Sequence, residues 1–281
     1  MLKKGDFHMH TTASDGKLTP SELVKMASQE NLDIIAITDH DTTKGLSEGI
    51  IAGQKYGVKV IPGIEFSTLH KEESIHILGY FRDDSYKSEK FQVFLNEMHD
   101  YRAWRGQRIV DNLKIYFDIN IDGQQLIKDT KGVIARPHIA QAIINAGYDY
   151  SWEYLFNNII SKDSPAYVPN KSISITEGIK ILKEVNALLI LAHPTLIKKS
   201  TIEELIEFDF DGIEGIYPLN SKGDTEKYLS IAKEKNKIIT AGSDYHGIGS
   251  QDTKHGILGS VNLTGENLKI LLENLKGGVS K

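Results

Sequence analysis

Histidines and carboxylates collect at the ends of short apolar runs: His8-Met9-His10, Asp15, His40, Glu65, His76, His193, Asp244 and His246. Imidazoles and carboxylates together are the donors of a divalent-metal centre, and a set of this size has room for two or three ions. Side chains alternate faces along an extended segment, so His8 and His10 project to the same side and can chelate one ion. A lone histidine at a strand end is usually a satisfied polar residue, and each of these taken singly has that reading. Of the ten histidines, however, His8, His10, His40, His76, His193 and His246 all fall at strand ends or strand faces beside carboxylates. His70, His99 and His255 lie in segments that read as a polar loop, a helix and a later strand. Burying those six imidazoles with Asp15, Glu65 and Asp244 and no cation would desolvate donors and crowd like charges, at a cost on the order of several kcal/mol. The chain has no cysteine, so the donors must be nitrogen and oxygen, which favours Mn, Fe or Zn.

The elements that position these residues repeat one pattern. Ile34-Ile35-Ala36-Ile37-Thr38 runs into Asp39-His40, Val58 to Ile64 into Glu65, Ala187 to Ala192 into His193, and Ile238 to Ser243 into Asp244-Tyr245-His246. A continuous apolar run ending in a polar donor is how a buried parallel strand reads when it delivers function at its C-terminal end. Strand and helix candidates alternate from residue 5 to about 85 and again from about 172 onward, which argues for βα units and a parallel sheet or barrel. Thr19-Pro20-Ser21-Glu22 has the form of a capping box with proline at the first helical position, and Ser174-Ile175-Thr176-Glu177 and Thr201-Ile202-Glu203-Glu204 repeat the box. After a strand at Ser74–Tyr80 the pattern changes to consecutive helices. The expected organisation is therefore a barrel from residues 1–88 and 171–281, with an inserted helical lobe over 89–170. The lobe ends in Ser164-Pro165-Ala166-Tyr167-Val168-Pro169, whose prolines favour an extended return, and the Gly277-Gly278 tail reads as a frayed end.

Composition sets bounds on this reading. At 281 residues, 40% hydrophobic and 25% charged, the chain suits a large globular domain or a domain with an insertion. A net charge of −5 excludes holding polyanions by bulk charge, so a nucleic-acid substrate would be met locally. No run approaches the ~20 apolar residues that cross a bilayer, and the N-terminus opens on charge rather than an apolar signal segment. The expectation is a cytoplasmic enzyme with no membrane association and no evident obligate protein partner.

The chain resembles the polymerase and histidinol phosphatase (PHP) superfamily of metal-dependent phosphoesterases. The residues that carry the likeness are Asp6-Phe7-His8-Met9-His10-Thr11, Ser14-Asp15-Gly16, Thr38-Asp39-His40-Asp41, Pro62-Gly63-Ile64-Glu65, Ala192-His193-Pro194 and Gly242-Ser243-Asp244-Tyr245-His246-Gly247. Their ordered agreement is more specific than any one motif. The resemblance implies a distorted (β/α)7 barrel with the site at the C-terminal rim of its strands. It also implies a ligand set in which His8, His10, Glu65 and Asp244 hold one ion, and Glu65 bridges to a second held by His76 and His193. A third lies between Asp15, His40 and His246. Asp39 is expected to orient a histidine rather than bind metal.

Within the superfamily, the helical insertion, Glu73-Ser74-Ile75-His76-Ile77-Leu78-Gly79-Tyr80 and Ala135-Arg136-Pro137-His138-Ile139-Ala140 resemble the branch acting on nucleoside 3′,5′-bisphosphates and on the 5′ ends of short RNA. Arg136 precedes a proline able to start a helix, with His138 in its first turn. A guanidinium, an imidazole and free backbone N–H groups can thus converge on a phosphate. Alternatively, Arg136 caps a carbonyl and His138 packs inside the lobe. Arg102 and Arg105 are further phosphate-binding candidates and share a helix face with Arg108, although such a stripe also reads as a solvated face paired with Asp100 and Asp111. Tyr101, Trp104 and Tyr148 are either stacking surfaces for a base or the lobe's own core.

The chemistry expected is in-line hydrolysis by water activated at adjacent ions, with Glu65, His193 and Arg136 as catalytic candidates and no motif for a covalent nucleophile. A bisphosphate would place one phosphate at the metals and the other on the lobe; a short 5′-phosphorylated RNA would allow 5′-3′ mononucleotide release. The competing readings are another small-molecule phosphomonoesterase, such as a histidinol phosphatase, and a non-catalytic metal-stabilised PHP module.

Overall fold

A computed structural model describes residues 3–130, 134, 136–169, 171–249 and 255–277. Ala135 of the expected phosphate motif and Gly278 of the expected frayed end lie outside these residues. The apolar runs form strands: β1 (Lys4–Asp6), β2 (Ile34–Ile37), β3 (Lys59–His70), β4 (Glu73–Phe81), β5 (Ala187–Leu191), β6 (Gly212–Ile216), β7 (Ile238–Ala241) and the short β8 (Leu263–Thr264). Helices are α1 (Pro20–Gln29), α2 (Leu46–Tyr56), α3 (Glu89–Phe117), α4 (Gly123–Asp129), α5 (Arg136–Asn145), α6 (Trp152–Tyr154), α7 (Ile175–Glu184), α8 (Ile202–Leu205), α9 (Lys222–Glu234) and α10 (Gly265–Lys276). Every residue of β2 and β5 is buried, which explains why these strands are apolar throughout rather than alternating.

The strands make one eight-stranded sheet in the order β7-β6-β5-β4-β3-β2-β1-β8 among the described residues. The barrel closes where the chain continues past β1 and β7. Phe7 N–H donates to Ala241 O, Asp244 N–H to His8 O and His10 N–H to Tyr245 O, leaving a nearly closed barrel. The short β8 pairs antiparallel with β1, and inside the sheet another strand departs from the all-parallel expectation: β4 runs antiparallel to both β3 and β5. It does so because β3 and β4 are joined by a two-residue turn, Lys71-Glu72, with φ of 47° and 59°, the left-handed pair that a tight hairpin requires. Neither residue signals such a turn, so the hairpin was not legible locally.

Helix starts follow the sequence closely. Thr19 and Glu22 complete a reciprocal capping box, whereas Ser174 and Thr201 cap α7 and α8 through the N-terminal half of the box alone. The chain divides into two compact units, Met1–Phe91 with Ile173–Lys281, and Gln92–Ser172. The second has its own core, with Ile109, Leu113, Ile139, Ile143, Leu155 and Ile159 among its members. No helix among the described residues is long and apolar enough to cross a membrane.

Candidate metal centre

Glu65 near the middle of β3 is reached by donors from five other places in the barrel unit. His8 and His10 lie on the extended continuation of β1 and come to the same side, as alternation requires. His8 Nε2 is 3.2 Å and His10 Nε2 3.1 Å from Glu65 Oε2, and the same two atoms are 3.3 and 3.2 Å from Asp244 Oδ1. His40 pairs with Glu65 in a parallel bridge, which sets its Nδ1 3.0 Å from Oε2. His76 on β4 is in register with Ser67, one diagonal step from Glu65, and its Nδ1 approaches Oε1 at 2.6 Å. His193 Nε2, from the end of β5, is 2.9 Å from Oε1.

These contacts have the spacing of co-ligands. Two donors each about 2.1 Å from one ion, at ordinary coordination angles, lie about 3 to 3.4 Å apart. His8 Nε2, both ring nitrogens of His10, His40 Nδ1, His193 Nδ1, Glu65 Oε2 and Asp244 Oδ1 are buried and make no hydrogen bond among the described residues. Leaving such atoms unmet costs roughly 1–3 kcal/mol each, a cost that a cation among them removes. The residues therefore fit divalent ions. Among the described residues three groups of donors lie mutually within 4.8 Å around Glu65 and Asp15: His8, His10, Glu65 and Asp244; His40, Glu65 and His76; and His10, Asp15, His40 and His246. His193 shares Glu65 Oε1 with His76, while His40 meets the other oxygen, Oε2. Asp15, whose side chain is 47% exposed, opens the third group to solvent.

Charges in the cluster are strongly coupled. Burial would raise the Glu65 carboxyl, but His40, His76 and His8 hold it well below the usual carboxylate range. Asp244 is held down against burial chiefly by His8 and His10. Burial lowers His40 to about 4, with His10 adding to the effect and Glu65 opposing it. Backbone strain marks the same place, since His193 and Asp244 adopt φ of 27° and 55°. Left-handed conformations of this kind cost a non-glycine residue about 1–3 kcal/mol and gather at functional sites.

Other residues are assigned differently from expectation. Among the described residues Asp39 accepts from Thr11 N (2.7 Å), Thr11 Oγ1 (2.8 Å) and Ser14 Oγ (2.7 Å) rather than from a histidine, and so shapes the turn that presents Asp15. Gly16 completes that turn, because a Cβ there would collide with the backbone of His10. His255 lies at a bend rather than a strand; its ring stacks on His246 with centroids 4.0 Å apart, and it forms a further donor group with Asp244 and His246. His70 ends β3 instead of lying in a loop. Sequence reasoning also missed Glu214 and Tyr217. Glu214 lies 3.0 Å from His8 Nδ1, and Tyr217 donates its hydroxyl to Asp244 Oδ2 at 2.9 Å. The one available signal was an acidic residue inside the otherwise uncharged run Gly212-Ile213-Glu214-Gly215-Ile216.

In the helical unit, Arg136 opens α5 and lies 5.7 Å from the Phe156 ring centroid, a cation–π contact. His138 in the same first turn is exposed, not packed inside. Arg105 is 7% exposed and donates Nε–H to Val168 O at 2.8 Å, so part of its guanidinium serves the fold. Burial and the charges of Arg136 and Arg102 lower its pKa, against Tyr167 and Tyr101. Arg108 is exposed. Tyr148 supports the unit, accepting from Asn120 N at 2.8 Å, Tyr101 donates to Pro169 O, and Trp104 is 55% exposed.

Comparison with known proteins agrees with this geometry. The PHP domain family model matches residues 6–242. A 5′-3′ exoribonuclease of Haemophilus influenzae is 30% identical over 253 residues, spanning 88% of this chain and 91% of that protein. A 3′,5′-nucleoside bisphosphate phosphatase of Chromobacterium violaceum is 27% identical over 260 residues, spanning 89% and 90%. A crystal structure from Bifidobacterium adolescentis, assigned as a metal-dependent phosphoesterase, superposes with a TM-score of 0.75 at 30% identity over 96% of both chains. The matched span runs from the end of β1 past the end of β7, through the strands that carry the donor cluster, and the chain belongs to the PHP domain family of phosphoesterases.

Proposed function

We propose that this phosphoesterase removes the 3′-phosphate of nucleoside 3′,5′-bisphosphates and also acts as a 5′-3′ exonuclease on short 5′-phosphorylated RNA, using two or three Mn, Fe or Zn ions in the cytoplasm. The observation that carries the reaction type is the set of buried donors without hydrogen bonds around Glu65 and Asp244. Ions held there supply Lewis acidity toward phosphoryl oxygens and activate water for attack. The ligands would be His8, His10, Asp15, His40, Glu65, His76, His193, Asp244 and His246, with Glu65 presenting one oxygen to His8, His10 and His40 and the other to His76 and His193.

The substrate class is supported by two relatives, named as a bisphosphate phosphatase and an exoribonuclease, and by the helical unit. Arg136 and Arg102 both act electrostatically on Arg105, and an anion can be met bidentately by arginine. Arg136, with His138, Arg102 and the remaining donors of Arg105, is proposed to bind substrate phosphate. The helix start at Arg136 adds backbone N–H groups to the same task.

The test is phosphate release, with Mn supplied, from adenosine 3′,5′-bisphosphate, AMP, histidinol phosphate and a 5′-phosphorylated RNA oligomer, each repeated with Arg136→Ala. Selective cleavage of the bisphosphate and the RNA, weakened about 10-fold or more by the substitution, is expected. Preference for histidinol phosphate, or indifference to Arg136, would overturn the substrate assignment while leaving the metal chemistry in place.

A further inference from the structure

Glu214, in the middle of β6, is fully buried and belongs to none of the donor groups. Its two oxygens have separate partners. Oε1 lies 3.0 Å from His8 Nδ1, and Oε2 accepts the backbone N–H of His193 at 2.8 Å. The space for this carboxylate exists because residue 242 is glycine; a Cβ there would collide with Glu214 Oε1 and with the His8 side chain.

Each bond prepares a different metal donor. A hydrogen bond from His8 Nδ1–H fixes the tautomer whose lone pair is on Nε2. That Nε2 faces Glu65 Oε2 and Asp244 Oδ1 and makes no hydrogen bond of its own. The bond from His193 N–H ties down a residue at φ 27°, ψ 62°, the left-handed conformation that sends its Nε2 to Glu65 Oε1. We propose that Glu214 is a positioning residue that holds His8 and His193 ready for two ions at once, without ligating either. The inference rests on reading the cluster as a metal centre.

The chemistry requires a carboxylate in particular. Both partners are donors, so the position needs two acceptors, and glutamine has only one. If the Gln amide N–H₂ faces His8 Nδ1, the ring must accept there and carry its proton on Nε2, the atom an ion needs. If it faces His193 N–H, two donors abut and the left-handed turn loses its tie.

The experiment compares the full-length wild type with Glu214→Gln, after chelator treatment and dialysis. It measures Zn and Mn binding by calorimetry, metal content after reloading, and thermal unfolding in chelator. Histidine-labelled, Zn-loaded protein supplies the tautomers by ¹H–¹⁵N NMR, with the His8 signal identified by its loss in His8→Ala. Expected for Glu214→Gln are an unfolding temperature in chelator within a few degrees of wild type, metal affinity weakened about 10- to 100-fold, reduced metal content, and loss of the Nδ1–H form of His8. Wild-type affinity and an unchanged His8 tautomer would overturn the proposal, as would a lowered unfolding temperature with unchanged affinity. If the Gln variant does not fold, Glu214→Asp decides: its shorter stem cannot reach both partners, so weakened binding supports the proposal and unchanged binding overturns it. Failure of the wild type itself to bind Zn or Mn would sink the metal reading as a whole, a result distinct from failure of the Glu214 role.

Discussion

His8, His10, His40, His76 and His193 all converge on the carboxylate of Glu65, and this convergence makes substitutions around it unequal. Glu65→Gln keeps the volume but gives up the negative charge and one acceptor, so the ions on both sides should be lost together. The expected result is a fall in phosphate release of at least about 1,000-fold, with reduced metal content after reloading and an unchanged far-UV circular dichroism spectrum. Asp244→Ala and His40→Ala should likewise abolish turnover without unfolding the chain. Tyr217→Phe tests a milder effect. It removes only the hydroxyl that orients Asp244 Oδ2, which should cost about 1 kcal/mol in stability and weaken metal binding about 10-fold; a Phe variant with wild-type affinity would show that Asp244 is positioned by its own backbone.

Among the elements, the β3–β4 hairpin shapes the site more than any single helix. Its register sets His76 diagonal to Glu65, and it achieves that register through Lys71 and Glu72 in left-handed backbone. Replacing the pair by Asn-Gly, which enters this turn with little strain, should raise stability by about 1 kcal/mol in urea unfolding and leave phosphate release unchanged. Helix α1 offers the opposite sign. Thr19→Ala removes the side chain that accepts from Glu22 N and with it the reciprocal box, and should lower stability by about 1 kcal/mol. The arginine stripe of α3 does not stay on one face. A step of three residues falls about 60° short of a full turn, so the stripe slides around the helix; packing then buries Arg105 against Val168 O while Arg108 is left exposed.

At the scale of the whole molecule, protons and metal ions compete for one cluster. In the metal-free protein burial opposes charge on His10, but Asp244, Glu65 and Asp15 outweigh it and raise its pKa to about 10. An unfolded histidine titrates near ~6.5, so this contribution to stability is complete below that pH and is lost as pH rises toward 10. His40 acts in reverse, because its lowered value makes stability fall as pH drops from about 6.5 to 4. Asp15, Glu65 and Asp244, all held low, contribute above the unfolded carboxylate values near ~4 and lose that contribution in stronger acid. Metal-free protein should therefore be most stable between about pH 6 and 7. Metal ligation needs deprotonated imidazoles, so the rise in unfolding temperature on adding Mn should be larger at pH 8.5 than at pH 6. Thermal scans with excess chelator and with excess Mn test this, and a metal-induced rise that shrinks with increasing pH would contradict it.

The donors and the strand ends that carry them follow from the order of the amino acids alone. Both are local properties: apolar runs specify buried strands, alternation puts His8 and His10 on one side, and the residue types allow only nitrogen and oxygen ligation. The reversal of β4, the approach of His40 to the Glu65 oxygen that also faces His8 and His10, and the turn-building role of Asp39 were decided by tertiary structure. So was the recruitment of Glu214, bonded to a histidine 206 positions away. Each depends on which strand lies beside which and in what register, and a buried carboxylate acquires its partners only when barrel closure brings distant segments together.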